Sequence, residues 1–176
     1  MKLIPLSRNK FAQVDDEDYD FLMQWKWYAH THTNHKENLT YAIRNVPAIE
    51  STSGKRTAVK MHRVIMKVTD PEIKVDHKDH DGLNCQKENM RTCTAKQNSA
   101  NRKAVGASKY LGVTLYKGVS KFKNGNHRYY TKWRPVIKVD GKNVNMGLFD
   151  SEEEAARAYD EAAKIHHGEF ANLNFK

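Results

Sequence analysis

The sequence contains no long hydrophobic run and few cysteines. No stretch approaches the roughly 18 apolar residues of a membrane-spanning helix, and Pro5 interrupts the first residues, which lack the apolar segment of a secretory signal. The two cysteines, Cys85 and Cys93, are too few for a disulfide framework or a four-cysteine zinc site. We therefore expect neither a membrane span nor a disulfide-stabilised secreted domain, and the low cysteine count fits a reducing cytosol.

The sequence has fewer acidic than basic residues, with 21 Asp and Glu and 30 Lys and Arg, which gives a formal net charge of +9. Apolar residues still make up 39%, which is enough for a packed core and argues against a disordered chain. The basic residues concentrate between Arg91 and Arg134, whereas acidic runs stand at residues 15–18 and 152–154. Positive charge of this kind favours a polyanionic partner, and we expect the middle region to meet it.

Local patterns divide the first two thirds of the chain into two segments. Residues 1–61 predict short strands and a helix opened by the acidic run, and we interpret them as a β-rich support. Residues 62–102 predict a short helix, two strands around a turn at 79–82, and a helix capped by Thr94. This second segment is too small to fold on a core of its own, so we expect it to pack against the first or to hold a metal.

The remainder predicts a linker at residues 103–109 and a third segment at 110–176. The expected elements of that segment are, in order, a strand ending at Tyr116, a long loop, a strand at 133–139, a two-residue turn at Asp140-Gly141, a strand at 142–149 and a helix opened by a capping box at 151–154. The helix carries a stripe of alanines, which lets it lie close against a sheet. The predicted architecture is a three-stranded antiparallel sheet packed on one helix.

Oxygen and imidazole donors cluster in the second segment. Phosphodiester hydrolysis needs a base, a divalent cation and a group that fixes the base. His77 suits the base, because an unperturbed imidazole has a pKa of about 6.5, while Asp76 and Asn98 offer the hard oxygens that Mg²⁺ or Mn²⁺ prefers. Asn89 either braces the loop at 79–85 or accepts a hydrogen bond from the imidazole. Two arginines could clamp the scissile phosphate: Arg91 and Arg102.

These residues resemble a known motif. Residues 75–84, 88–94, 97–98 and 101–102 resemble the ββα-metal motif of HNH nucleases, and with residues 61–66 they are similar to the HNH homing endonucleases of bacteriophages. The resemblance implies four roles: Asp76 and Asn98 as metal ligands, His77 as general base and Asn89 as the orienting residue. It departs at Cys85, where such sequences usually carry Asn. Two roles stay open for His62: a structural residue under the site, or a contact with DNA.

The third segment carries a second candidate site. Alternation along residues 133–139 leaves a polar, cationic face opposite the face that packs on the helix. Such a sheet can enter the major groove, where Arg and Lys read guanine and Asn reads adenine. The candidate DNA-binding residues are Thr114, Tyr116, Lys132, Arg134, Lys138, Asn143 and Asn145. The cations of the long loop, at residues 117–132, could hold phosphates.

This segment also resembles a family. Residues 110–113, 132–133, 137–138, 146–150, 153–160 and 173–175 are similar to the APETALA/ethylene-response-factor DNA-binding domain. The resemblance implies contact with duplex DNA through the sheet. Leu111 and Thr114 stand where the plant domains usually carry Arg, and the loop after Tyr116 is longer, so the target sequence does not carry over.

The sequence thus predicts an α+β chain in which a ββα-metal (HNH) nuclease core with N-terminal β-rich support precedes a three-stranded sheet on one helix. We expect a sequence-directed endonuclease of the homing type that hydrolyses double-stranded DNA with one Mg²⁺ or Mn²⁺ and a histidine base. The sequence does not give the oligomeric state, although a monomer is favoured, and the resemblance implies a cytoplasmic location in a bacterium or a phage-infected host. The alternative is a DNA-binding transcriptional regulator whose nuclease core is inactive.

Overall fold

Small antiparallel sheets and a few helices make up the part of the chain that the structure describes. A computed structural model describes residues 1–33, 38–50, 54–55, 57–101 and 108–175. Arg102 and residues 103–107 of the predicted linker lie outside the described residues. The chain divides into an N-terminal unit, Met1–Asn98, and a C-terminal unit, Ser99–Lys176. Within the described ranges, no helix is both long and apolar enough to cross a membrane.

The N-terminal unit contains three sheets, and the helix that ends it reaches Ala100. In chain order the elements are β1 (Lys2–Pro5), β2 (Phe11–Val14), α1 (Asp16–Leu22), β3 (Tyr28–Thr33), β4 (Asn38–Val46), β5 (Thr57–Lys60), α2 (Met61–Ile65), β6 (Lys74–His77), β7 (Met90–Cys93) and α3 (Ala95–Ala100). β1 pairs with β2, β4 lies between β3 and β5, and β6 pairs with β7, all antiparallel. The predicted strands and helices of this region are confirmed, and β1 is an addition.

One hydrophobic core serves the whole N-terminal unit. Its buried residues are Ile4, Ala12, Val14, Leu22, Trp27, Ala42, Met61, Ile65, Cys85 and Met90. They come from both predicted segments, so the short second segment packs against the first, one of the two alternatives that its size left open. The indole of Trp27 also donates a buried hydrogen bond of 2.8 Å to the Leu22 carbonyl.

The acidic run near the N-terminus has two roles. It places carboxylates in the first turn of α1, where the helix dipole favours negative charge. It also holds the turn before β7, because the Asp15 carboxylate accepts hydrogen bonds from the Lys87 backbone N–H (2.8 Å) and from Gln86 Nε2 (3.3 Å). The Lys87 ammonium pairs with Glu17 and, at 3.1 Å, with Asp18.

The C-terminal unit is a three-stranded antiparallel sheet packed on one helix, as predicted. Its elements are β8 (Val113–Lys121), β9 (His127–Val139), β10 (Lys142–Asn145) and α4 (Glu152–His167), and β9 lies in the middle of the sheet. Ser151 caps α4 by accepting a hydrogen bond from the Glu153 N–H at 3.2 Å. Ile137 and Val113 of the sheet are buried with Ala155, Ala156, Tyr159 and Ala163 of the helix.

The long loop predicted after Tyr116 is wrong. β8 continues to Lys121, which pairs with His127, so only residues 122–126 form the turn. The reason is local, because valine, tyrosine and threonine recur along residues 119–131 and favour a strand over a loop.

The predicted return strand at 142–149 is too long, since β10 ends at Asn145. Two local features interrupt it: Asn145 Oδ1 accepts a hydrogen bond from the Gly147 N–H (3.0 Å), and the facing Pro135 has no N–H for the ladder. Pairing resumes at Phe149, which exchanges two 2.8 Å backbone hydrogen bonds with Trp133. Leu148, which lies beyond the end of β10, is exposed.

A buried carboxylate fixes the C-terminal tail of the unit. Asp160 of α4 accepts hydrogen bonds from the backbone N–H groups of Asn174 (2.9 and 3.0 Å) and Phe175 (2.9 Å). The Asn174 amide in turn exchanges hydrogen bonds with the backbone of Leu111, at 2.6 and 3.2 Å. The tail is therefore tied to the segment that leads into β8, which no sequence signal indicated.

We predict that Gly112→Ala destabilises the C-terminal unit by about 2–4 kcal/mol, because it combines left-handed strain with overpacking. Gly112 has φ +72°, and an added Cβ would lie 2.0 Å from the Tyr159 ring. The matched control is Gly125→Ala, at φ +86° with open space around it, for which about 1 kcal/mol is expected. Urea unfolding measures both, and equal losses would contradict the proposed clash.

Candidate functional site

Asp76 and His77 end the first strand of the β6–β7 hairpin. Asp76 lies opposite Arg91 and His77 opposite Met90, and both side chains are buried, each 6% exposed. One residue after β7, α3 begins, so strand, loop, strand and helix follow in the predicted order. The Thr94 hydroxyl caps α3 by accepting from the Gln97 N–H (3.2 Å).

The His77 imidazole lies in an aromatic cluster formed by three elements. The ring of His62, from α2, is 5.0 Å from it and the ring of Tyr41, from β4, is 6.0 Å from it, measured between centroids. Tyr41 and His62 also contact each other at 5.4 Å. No local signal in the sequence marks Tyr41 as part of this site. We call these three residues the His77 cluster.

Burial controls the protonation of the two histidines. Burial lowers the pKa of His77, against the opposing effect of the Asp79 and Asp76 carboxylates. The pKa of His62 falls to about 3, first because of burial and then because of the neighbouring His77. His62 is 5% exposed, which favours the structural role over the DNA contact that the sequence also allowed. At neutral pH both rings are therefore neutral, and a neutral His77 is able to accept a proton.

The Asp76 carboxylate has a second neighbour in Arg91. Nε and Nη2 of Arg91 both lie 2.9 Å from Asp76 Oδ2. Arg91, for which the sequence predicts a contact with phosphate, therefore forms a salt bridge with the Asp76 carboxylate. The pKa of the Cys93 thiol is raised, first by burial and then by the Asp76 carboxylate, while Arg91 and a backbone hydrogen bond from Asn98 act in the opposite direction.

The donor set fits a hard cation that takes few protein ligands. No group of three or more His, Cys, Asp or Glu side chains within the described ranges is placed to hold a metal. Asp76 offers a carboxylate, and Asn98, exposed on α3, offers an amide oxygen. Mg²⁺ usually keeps several waters and binds through one or two protein oxygens, so this pair suits it better than a softer ion.

Asn89 braces the loop between β6 and β7, the first of its two predicted roles. Its Nδ2 donates to Asp79 Oδ1 and to the Asn84 carbonyl, both at 2.9 Å, and its Oδ1 accepts from the Asp79 N–H at 3.2 Å. Asn84 Nδ2 also donates to Asp79 Oδ2 at 2.7 Å. Burial raises the pKa of Asp79, but the hydrogen bonds from Asp81, Asn84 and Asn89 outweigh it and lower the pKa overall.

Cys85, the departure from the HNH pattern, is fully buried in this loop. Burial raises the pKa of its thiol to about 12, and Sγ lies 3.9 Å from the Gly82 carbonyl. Its backbone N–H donates to the Gln13 carbonyl and the Gln13 N–H donates to the Leu83 carbonyl, both at 2.8 Å. The loop is therefore attached to β2 by its backbone, independently of the side chain at position 85.

The loop also presses against β4. A Cβ on Gly82 would lie 2.5 Å from the Thr40 carbonyl oxygen and 2.7 Å from the Tyr41 ring. This close approach requires glycine and places the loop on the same tyrosine that contacts His77. The first segment therefore supports the site from two sides, which gives the predicted supporting role a structural basis.

The seven predicted DNA-binding residues share one face of the C-terminal sheet. The register places Thr114 opposite Arg134, Tyr116 opposite Lys132 and Lys138 opposite Asn143, with Asn145 at the end of β10. Val113 and Ile137, which pack on α4, occupy the other face. We call the face that carries the seven predicted DNA-binding residues the reader face.

The side chains of the reader face differ in their exposure and in the contacts that they already make. Lys138 and Asn143 are exposed. Lys132 pairs with Asp150, and Arg134 lies 5.3 Å from the Tyr116 ring centroid. Asn145 Oδ1 already accepts a hydrogen bond from the Gly147 N–H. Lys138 and Asn143 are therefore the strongest candidates for base contacts.

Comparisons with known proteins find relatives of both parts of the chain. The H-N-H endonuclease F-TflI of Escherichia phage T5 is 41% identical over 59 residues, which cover 29% of this chain and 30% of the phage protein. An uncharacterized HNH endonuclease of Acanthamoeba polyphaga mimivirus is 27% identical over 177 residues, 98% of this chain and 79% of the viral protein. An ethylene-responsive transcription factor of Medicago truncatula is 43% identical over 63 residues, 35% of this chain and 26% of the plant protein.

These relatives suggest a nuclease with an HNH-like region, and the plant match concerns a different class of protein. The matches to the phage and plant proteins span less than a third of either protein's length. No protein-family model and no solved structure matches the chain.

The buried, neutral His62 predicts an acid dependence of stability. The unfolded chain binds a proton near pH 6.5 that the folded chain binds only near pH 3, so stability is complete above pH 6.5 and decreases as the pH falls towards 3. From pH 7 to pH 5 the loss due to His62 is about 2 kcal/mol. We expect His62→Gln to flatten this decrease in urea unfolding, whereas the exposed control His30→Gln should keep it. Parallel pH profiles for His62→Gln and the wild type would contradict the prediction.

Proposed function

We propose that the chain is a homing-type DNA endonuclease that hydrolyses phosphodiester bonds of duplex DNA with one Mg²⁺ or Mn²⁺. The observation that carries the proposal is the buried, neutral His77 beside Asp76 at the end of β6, in a strand–loop–strand–helix unit of the HNH pattern. The endonuclease relatives from phage T5 and mimivirus support it. We also propose that residues 62–102 form a ββα-metal core with these site residues.

In the proposed mechanism His77 accepts a proton from the attacking water. Its neutral state at neutral pH provides the base, and the His77 cluster holds the ring in place. Asn89 positions the loop that follows His77 and does not touch the reacting atoms. Asp76 and Asn98 would hold the Mg²⁺ or Mn²⁺, which supplies electrostatic stabilisation of the phosphate and of the leaving 3′ oxygen.

The C-terminal unit would supply the affinity for DNA. Its reader face presents Lys138 and Asn143 side by side, a cation and an amide of the kinds that read guanine and adenine. Linking this unit to the catalytic unit raises the effective concentration of DNA at the catalytic unit without new contacts. The relative among plant transcription factors supports the assignment.

A second candidate is a DNA-binding regulator with an inactive nuclease core. The pairing of Arg91 with Asp76 favours it, since the guanidinium already neutralises the carboxylate that would hold the metal. Both candidates predict DNA binding and differ only in cleavage.

A nicking assay separates the two candidates. Supercoiled plasmids carrying a library of random duplex inserts are incubated with Mg²⁺ or Mn²⁺, and nicked products are collected and quantified. We expect His77→Ala to nick about 10²–10⁴-fold more slowly, the usual contribution of a general base, while still binding DNA. The control is His30→Ala, an exposed histidine of β3, which should nick like the wild type. Absence of nicking by the wild type with either metal would favour the regulator.

Binding by the reader face has its own test. A duplex selected by the wild-type chain from a random library is titrated in EDTA, so that binding is measured without cleavage. Lys138→Ala is expected to raise Kd about tenfold, because a good base contact contributes about 1–3 kcal/mol. Lys164→Ala, at an exposed position of α4, removes the same charge elsewhere and should leave Kd unchanged. If both variants bind like the wild type, the reader face is not the contact surface.

A further inference from the structure

The β8–β9 hairpin is longer than the part of it that packs on α4. The buried residues of these two strands, Val113, Pro135 and Ile137, lie at its base, where β10 also pairs with β9. Beyond Tyr116 the strands continue from the pair Lys117–Thr131 to the pair Lys121–His127. Exposure is high there, reaching 81% for Tyr129 and 54% for its partner Val119. We call residues 117–131 the distal ribbon.

The distal ribbon is cationic on both faces. No Asp or Glu occurs in residues 113–139, so no carboxylate of the two strands neutralises it. Its cations are Lys117, Lys121, Lys123 and Arg128. By the register, Arg128 lies on the same face as the reader residues, whereas Lys117 and Lys121 lie on the other. An exposed ribbon with this charge matches a polyanion.

The reader face continues into the distal ribbon without interruption. Arg134 lies over the Tyr116 ring, and the Tyr130 ring follows at 6.3 Å from Tyr116. Tyr130 fits there because its partner is Gly118, where a Cβ would lie 2.3 Å from the ring. The next pair on this face is Ser120 and Arg128. Cations and aromatic rings therefore form one row from the three-stranded sheet to the tip.

We propose that the distal ribbon is a second contact with the same duplex DNA that the reader face binds, and that it extends the bound site. This inference rests on the proposed DNA binding of the C-terminal unit. A two-stranded ribbon fits the width of the major groove. Five residue pairs at about 3.3 Å each span about 17 Å, or about five base pairs at 3.4 Å per step. Lys117, Lys121 and Arg128 contact phosphates over that length.

The salt dependence of binding measures these contacts directly. The full chain is titrated in EDTA with a 30-base-pair duplex of random sequence, over a range of KCl concentrations. Each phosphate contact contributes about 0.9 to the slope of log K against log salt concentration. We expect the triple variant Lys117→Gln, Lys121→Gln and Arg128→Gln to lower the magnitude of the slope by about 2–3. A matched triple, Lys26→Gln, Lys67→Gln and Lys164→Gln, removes the same charge from exposed positions elsewhere and should keep the slope.

A truncation provides an independent variant. Replacing residues 118–130 by Asn-Gly joins Lys117 to Thr131 through a two-residue hairpin turn and leaves the buried base of the hairpin intact. Because it removes Lys121 and Arg128 but keeps Lys117, we expect it to lower the magnitude of the slope by about 2, while its urea unfolding stays like that of the wild type. An unchanged slope in the triple variant or the truncation, or an equal loss in the matched triple, would overturn the proposal. If Lys138→Ala lowers the slope and the ribbon variants do not, the reader face is the contact and the proposed ribbon contact is wrong. If the wild type does not bind the duplex, both the ribbon contact and the proposed DNA binding of the C-terminal unit are contradicted.

Discussion

The packing of the Tyr41 and His62 rings around His77 is the interaction on which the N-terminal unit depends. The imidazole is held by Tyr41 from β4 and His62 from α2, so its position requires a sheet, a helix and a hairpin to meet at one point. The same packing removes water and keeps both histidines neutral, which costs stability in acid but leaves His77 able to accept a proton at neutral pH. Position and protonation state therefore have one cause, and they cannot be changed separately.

The loop after His77 shows why a segment of this size needs a host. The buried side chain of Asn89 is satisfied inside the loop, because it donates hydrogen bonds to Asp79 and to the Asn84 carbonyl. Unsatisfied, this amide would cost about 1–3 kcal/mol. The network alone would not fix the loop in space, and its attachment to Gln13 of β2 does so. The first segment thus supplies the fixed surface that the short second segment lacks, and the two segments share one hydrophobic core.

Much of the fold could be predicted because its signals are local. Asp140 and Gly141, with φ +49° and +81°, form the turn that an Asp-Gly pair favours, and the caps at Thr94 and Ser151 follow from side chains within three residues. Spacing and resemblance to the HNH motif predict Asp76, His77, Asn89 and Asn98 as candidate site residues. What could not be predicted depends on contacts distant in sequence. Tyr41 contacts His77, and Asp160 bonds to the backbone of Asn174, but no local pattern links either pair.

The charges of the two units differ in kind. In the N-terminal unit two cations near the site are paired with carboxylates, Arg91 with Asp76 and Lys87 with the acidic run, whereas Lys60 lies over the Tyr41 ring at 4.7 Å. The β8–β9 hairpin contains no Asp or Glu, and although Lys132 pairs with Asp150, most of the other cations of the hairpin are exposed. Because neutralised cations release few counterions from DNA, these exposed cations are well placed to contribute affinity for phosphates. In the proposed endonuclease the C-terminal unit would therefore hold the duplex while the N-terminal unit cuts it, and the position of the cut would follow from the reader face and the distal ribbon.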